Sequence, residues 1–419
     1  MFRSLPVVST TGAPERRRSS RGLRSAGGWR RAGIGAAAVL GVLLAVFFAL
    51  PSLLAWHLHR RIGPPPPPLN AQSQALHSRL DVVDLHADSL LWQRDLLQRG
   101  ITGHVDVPRL TDGNVALQVF SVVTQVPWGV KLTGNGDSFD LVTPLAMAQF
   151  WPPATWFDRY ARALHQATRL RELITEAPGK LLPVKSKSDV DRLTLARSQA
   201  QTHGMTRPVG ALLALEGAQA LGDDPSRIDG LYQAGFRMVS PTHYTDTAFA
   251  GSAHGRTHGG LTPAGRDLIR RSQAKGMIVD LAHASEQTIR DVLAMTRAPV
   301  VVSHTGLKGT CDSPRNIGDD ALRSIAATGG VVGIGFWREA VCDTSVEAIA
   351  RAIRHGIDVA GVDHIALGSD FDGGVAMPFD AAGFAHLTQA LTSIGLSDED
   401  IAKVSGGNVL RVLAEVLPD

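Results

Sequence analysis

The sequence predicts an α/β fold: a (β/α)8 TIM-type barrel with decorating helices, preceded by one N-terminal transmembrane helix. Three observations predict it. Eight short runs rich in valine, isoleucine and leucine alternate with helix-period segments, the pattern of βα units around a parallel sheet. The polar residues of those runs gather at their C-terminal ends, where an α/β barrel carries its site. A charge-free apolar stretch, Ala32 to Trp56, precedes them all.

Taken from the N-terminus, that stretch is 25 residues long, more than the roughly 20 needed to cross a bilayer core. Arginines crowd the residues before it, so the positive-inside rule places the N-terminus in the cytoplasm and the rest of the chain outside. A cleaved signal peptide would have a shorter apolar core and a small-residue cleavage site before Trp56. Pro64 to Pro68 then reads as a stiff polyproline II spacer. The expected organisation is a basic cytoplasmic tail (1–31), a transmembrane anchor (32–56), a proline-rich spacer (57–68) and a barrel (69–419), held at the cytoplasmic (inner) membrane with the barrel on the periplasmic side.

Charge supports this partition. Arg3, Arg16, Arg17, Arg18, Arg21, Arg24, Arg30, Arg31, Arg60 and Arg61 are ten of the 42 basic residues, and Glu15 is the one acid of 39 before Gly63. What remains is 32 basic against 38 acidic residues, a body near −6 despite a chain total of +3. Such a body has no polyanion-binding character, and no nucleic-acid partner is expected.

The expected barrel strands are Val82–His86, Ala116–Val123, Ala211–Glu216, Met238–His243, Met277–His283, Val300–His304, Val331–Phe336 and Ile365–Asp370. Between them the sequence predicts helices at Thr155–Thr175, Pro263–Lys275, Glu286–Thr296, Asp319–Thr328, Val346–Ala360 and Asp380–Ile394. Pro127 to Pro208 breaks the rhythm and reads as an insert of decorating helices.

The strand ends carry the chemistry. His86 and Asp88 stand two apart, on one side of an extended chain, and can reach one cation. His283 and His304 end two further strands, and Glu216 closes a strand of otherwise apolar residues, costly unless a cation neutralises it. Imidazole and carboxylate donors suit zinc, and this many suggest two ions bridged by Glu216. Asp370 and Asp372 in GSDFDGG are candidates for a general base or for turn capping. His203, His254 and His258 read as surface histidines. Cys311 and Cys342 are the only cysteines; export permits a disulfide, but their spacing alone does not pair them.

In order along Asp81 to Leu417, the segments DLHAD, LALEGA, DLAHAS, SHTG, CDSPRNI, GSDFDGG and GGNVLRV resemble the renal, or membrane, dipeptidase family of the metal-dependent amidohydrolase superfamily. The resemblance implies one zinc on His86, Asp88 and Glu216 and a second on Glu216, His283 and His304. It further implies that His243, Arg315 and Asp370 contact a dipeptide substrate. A hydroxide between the ions would attack the peptide carbonyl, Asp370 would carry the proton, His243 would steady the oxyanion, and Arg315 would hold the free C-terminal carboxylate. The same resemblance implies that Cys311 pairs with Cys342. A homodimer is compatible with the sequence, which fixes no oligomeric state. Two other readings stay open: a hydrolase of N-acyl amino acids or lactones on the same site, and a membrane-tethered binding protein without turnover.

Overall fold

The computed structural model describes residues 26–419, without the side chains of residues 26–33; residues 1–25 of the arginine-rich tail lie outside the described residues. The chain forms two compact units, divided after Phe48. Helix α1 (Ala26–Leu58) is continuous. Its stretch Ile34–Leu58, with a mean hydropathy of 2.5, is long and apolar enough to cross a membrane.

In the unit from Ala49 onward, eight strands form the barrel. They are β1 (Val82–Ala87), β2 (Val115–Val123), β4 (Val209–Glu216), β5 (Phe236–Val239), β6 (Ile278–Val279), β7 (Val301–Thr305), β8 (Val331–Ile334) and β9 (Ile365–Leu367), and β3 (Leu181–Pro183) flanks the start of β4. All pair in parallel in the order β6-β5-β4-β2-β1-β9-β8-β7. The two ends meet where Asp280 bridges Val301 and the Leu281 amide donates to the Val301 carbonyl at 2.7 Å.

Side chains alternate across these strands. Val83, Leu85, Leu117, Val119, Leu212 and Ala214 pack outward under Val190 and Leu193 of helix Lys187–Thr202 and Val409, Val412 and Leu413 of helix Asn408–Val416. The residues between them, including Asp84 and His86, are thereby turned to the other face. The segment GGNVLRV locks the last helix to the barrel. A Cβ on Gly406 would stand 2.0 Å from the Asp81 carbonyl oxygen, so only glycine allows that approach, and Asn408 Nδ2 donates to the carbonyls of Val362 and Ile365.

Several boundaries differ from expectation. The fourth and fifth expected strands stop at Val239 and Val279, because Ser240 turns the chain away by donating to the Thr242 and Ala282 carbonyls. The insert helix begins at Arg159, where the Asp158 carboxylate caps the amides of Tyr160 and Ala161. The proline run, expected to hold the barrel away from the membrane, is laid along it: His386 Nδ1 contacts the Pro67 carbonyl, and Gln389 bonds Pro68 and Asn70.

Cys311 and Cys342 are joined in a disulfide with a Cα–Cα distance of 5.3 Å. It closes a loop spanning 31 positions between the arginine segment and the short helix Arg338–Val341 that follows β8, and a loop of that length constrains the unfolded chain by about 3 to 4 kcal/mol. Reduction is therefore expected to lower the thermal midpoint of the body by several degrees, as read by calorimetry with and without reductant. An unchanged midpoint would show that the bridge restrains nothing.

Candidate metal centre

Seven of the side chains singled out in the sequence converge at the barrel mouth. Glu216, at the end of β4 and 3% exposed, presents Oε1 to four imidazoles: His283 Nε2 at 3.0 Å, and His86, His243 and His304 Nε2 at 3.5 Å each. Asp88 Oδ1 lies 3.4 Å from His86 Nε2, and His283 and His304 bring their Nε2 atoms to 2.9 Å from one another. His86, Asp88 and Glu216 form one cluster compact enough for a cation; Glu216, His243 and His283 form another, and His86, His304 and Asp370 a third.

Proton accounting tests whether a metal fits. The Ser303 hydroxyl donates to Asp280 Oδ2 at 2.7 Å and is fixed there by the Ser303 amide, which donates to Asp280 Oδ1. It has no second proton, so toward His86 Nδ1 (3.3 Å) and His304 Nδ1 (2.9 Å) it can only accept. Both neutral imidazoles then carry their proton on Nδ1 and turn a bare Nε2 lone pair toward the Glu216 carboxylate. Lone pairs facing a carboxylate repel unless a cation sits between them, and outer-shell partners of this kind orient metal-binding histidines. Glu216 Oε2, Asp88 Oδ1 and His86 Nε2 are buried without hydrogen-bond partners. The donor set fits a divalent ion of the zinc type.

The titration pattern agrees. Burial pushes the Glu216 carboxyl up to about 7, with Asp88 adding to the rise. Burial also raises Asp370 well above the usual carboxylate range, although His86 and Arg315 oppose it. Burial holds His243, His283 and His304 well below the ordinary imidazole value, the neutral state a ligand needs. His86 runs the other way: burial works against its charge, but Glu216 and Asp88 outweigh it. A proton and a metal ion are alternatives at that nitrogen.

Arg315 is 6% exposed and donates to the His304 carbonyl at 2.7 Å, its guanidinium 5.5 Å from the Trp337 ring. Among the described residues no carboxylate lies within 4.0 Å of it. Asp370 and Asp372 separate in role. Both adopt left-handed φ, near +63° and +62°, but Asp370 faces the cluster while Asp372 is engaged elsewhere, accepting from Ser89 Oγ at 2.6 Å, the His104 amide at 2.6 Å and Arg94.

His203 and His258 are exposed, as the sequence predicts, but His254 is not a surface residue. It is 2% exposed, its Nδ1 contacts the Leu132 carbonyl at 2.8 Å, and its ring lies 5.1 Å from that of His283. The reason is tertiary: the loop after β5 folds back over the mouth, with the Ala253 amide donating to the His283 carbonyl and the Asn135 amide to the His254 carbonyl. Sequence reading also missed Asp84 and Asp280, the leading aspartates of DLHAD and DLAHAS. Asp84 accepts from the Ser369 amide and hydroxyl and so holds β1 to the loop after β9. Their repetition, Asp84 two residues before His86 and Asp280 three before His283, was the available signal.

Residues 70–417 match the family profile described as membrane dipeptidase, peptidase family M19. The chain is 30% identical over 360 residues to the dipeptidase aclJ of Aspergillus oryzae, covering 81% of this chain and 79% of that protein. A metallopeptidase from Rhodobacter sphaeroides, solved with a phosphinate mimic of the dipeptide L-Ala-D-Ala, superposes with a TM-score of 0.65 at 24% identity, over 80% of this chain and 99% of that one. The probable dipeptidase PvdM of Pseudomonas aeruginosa gives a TM-score of 0.69 at 20% identity, covering 83% and 98%.

Removing metal from this centre leaves a buried carboxylate opposed by lone pairs. Exhaustive chelation is expected to abolish hydrolysis and lower the thermal midpoint, both reversed by restoring the ion; a midpoint indifferent to chelation would argue against a cation in this cluster.

Proposed function

The chain belongs to the membrane dipeptidase family, peptidase family M19, and is a metal-dependent hydrolase; from that premise we propose that it is a binuclear zinc dipeptidase recognising the free C-terminal carboxylate of its substrate. The observation that carries this reading is the buried Glu216 cluster together with Arg315, a buried cation without a carboxylate partner among the described residues. A dipeptide supplies that carboxylate.

His86, Asp88 and Glu216 would hold one zinc, and Glu216, His283 and His304 the other, with Glu216 shared. When bound, the ions supply an acidified water and polarisation of the scissile carbonyl. Asp370 takes the proton of the attacking water on its carboxylate and delivers it to the leaving amine, a task suited to a carboxyl whose pKa burial has raised. The His243 imidazole, held at the mouth by its carbonyl's bond from Ser252 Oγ, faces the developing oxyanion. Arg315 pairs with the substrate carboxylate through two parallel hydrogen bonds, which limits the chain length that fits between it and Glu216.

We place this site outside the cytoplasmic membrane. The apolar span Ile34–Leu58 supports an anchor, and the Cys311–Cys342 bridge suits an oxidising compartment. Burial of Ala55 and His59 against the body supports an anchor that stays attached.

Asp370→Asn is expected to lower kcat by about 10² to 10⁴ with bound metal unchanged by elemental analysis. Wild-type turnover in that variant would remove Asp370 from the proton path. Arg315→Met should lower kcat/KM for dipeptides by about tenfold to a hundredfold, the worth of a charged hydrogen bond, and affect the corresponding dipeptide amides far less. An equal loss on acids and amides would mean that Arg315 supports the fold and not the substrate.

A further inference from the structure

The end of helix α1 and the residues after it form part of the catalytic loop's support. His59 lies eleven residues before the segment matched by the family profile, yet its side chain is fully buried. Its ring stands edge-on to Trp92 at 4.6 Å and 5.6 Å from the His104 ring. Those two neighbours grip Asp372: Trp92 Nε1 donates to the Asp372 carbonyl at 2.8 Å, and the His104 amide to its Oδ1 at 2.6 Å. The following residues run along the same loop. The Met377 amide donates to the Arg60 carbonyl at 3.3 Å, and the Ile62 amide to the Met377 carbonyl at 2.8 Å. Asp370, Asp372 and Met377 therefore lie on one loop, held at Asp372 through His59 and at Met377 by backbone pairing.

The ring itself is what fits. Neither nitrogen of His59 has a hydrogen-bond partner, and its Nδ1 stands 3.9 Å from Asp372 Oδ1. Burial holds its pKa below the ordinary imidazole value, so a neutral ring fills the space. Asp370 and Asp372 both sit in left-handed conformations that non-glycine residues hold only when their surroundings impose them.

We propose that His59 is a positioning residue that fixes the Asp370 carboxylate by clamping Trp92 and His104 onto Asp372, so that the anchor's last turn is part of the active-site frame. The proposal rests on the reading of Asp370 as the proton carrier. Misplacing a catalytic group by an ångström costs up to about a hundredfold in rate, and the loss falls on kcat because substrate is held elsewhere, at Arg315.

The test uses the full chain in detergent micelles, with metal content measured on every sample. His59→Ala is expected to lower kcat between about tenfold and a hundredfold with KM little changed, and His59→Phe, which restores a ring, to recover most of it. In the Asp370→Asn background, His59→Ala should cost nothing further, because the two act through one carboxylate. Wild-type kcat in His59→Ala, equal losses in the Ala and Phe variants, or multiplicative losses in the double variant would each overturn the proposal. If His59→Ala does not accumulate folded, Ile62→Pro against Ile62→Ala makes the same comparison at the amide bonded to Met377, and equal kcat values overturn it. Asp370→Asn at wild-type kcat would overturn the Asp370 reading itself; an inactive Asp370→Asn beside an unaffected His59→Ala overturns the clamp alone.

Discussion

One carboxylate that cannot be left uncompensated organises the mouth of this barrel. Glu216 ends a strand buried on both faces, and an isolated charge there would cost several kcal/mol. Four imidazoles surround its Oε1 atom, but imidazoles compensate a carboxylate only by donating protons. The Ser303–Asp280 pair holds the proton of neutral His86 and His304 on the far nitrogen, so either ring can donate to Glu216 only by taking up a second proton. The fold thus builds a site of converging lone pairs that a cation would compensate. Asp280 does this from the seam that closes the barrel, since it also bridges Val301. Barrel closure and ligand orientation are one set of contacts.

Legibility in the sequence follows from what each contact requires. The eight barrel strands are buried on both faces and mostly apolar, so each leaves a run rich in valine, isoleucine and leucine. His86, Asp88, Glu216, His283 and His304 were legible because each follows such a run directly, where polarity is conspicuous. The ends of the strands were not. Beyond Val239 and Val279 the backbone still reads as apolar and extended, and where the pairing ends the Ser240 hydroxyl contacts one carbonyl two residues on, at Thr242, and one 42 residues away, at Ala282. His254 was misread for a related reason: a histidine in a glycine-rich loop has no periodic context, and its burial depends on the insert hairpin at Leu132 and Asn135, more than a hundred residues away. Local pattern reports the faces of elements. It carries no record of which loops cross the mouth.

The pair Asp370 and Asp372 shows how identical local signals acquire different work. They are two residues apart with nearly the same left-handed backbone, and the sequence offers both as candidate bases. Burial acts on both in the same direction, raising the carboxyl pKa. At Asp372, the Arg94 guanidinium first, together with the hydrogen bond from Ser89, opposes it, leaving a carboxylate held well below the usual range. At Asp370, Asp88 and Glu216 reinforce it. The first is fixed as an anion and serves to hold the loop. The second holds a proton more readily than an ordinary carboxylate. Neither state is intrinsic to the residue; each is set by which side of the loop meets the ion-binding cluster and which meets the segment after β1. Because both aspartates sit on one short loop in an uncommon backbone conformation, contacts on the loop's outer side bear on the carboxylate that faces inward.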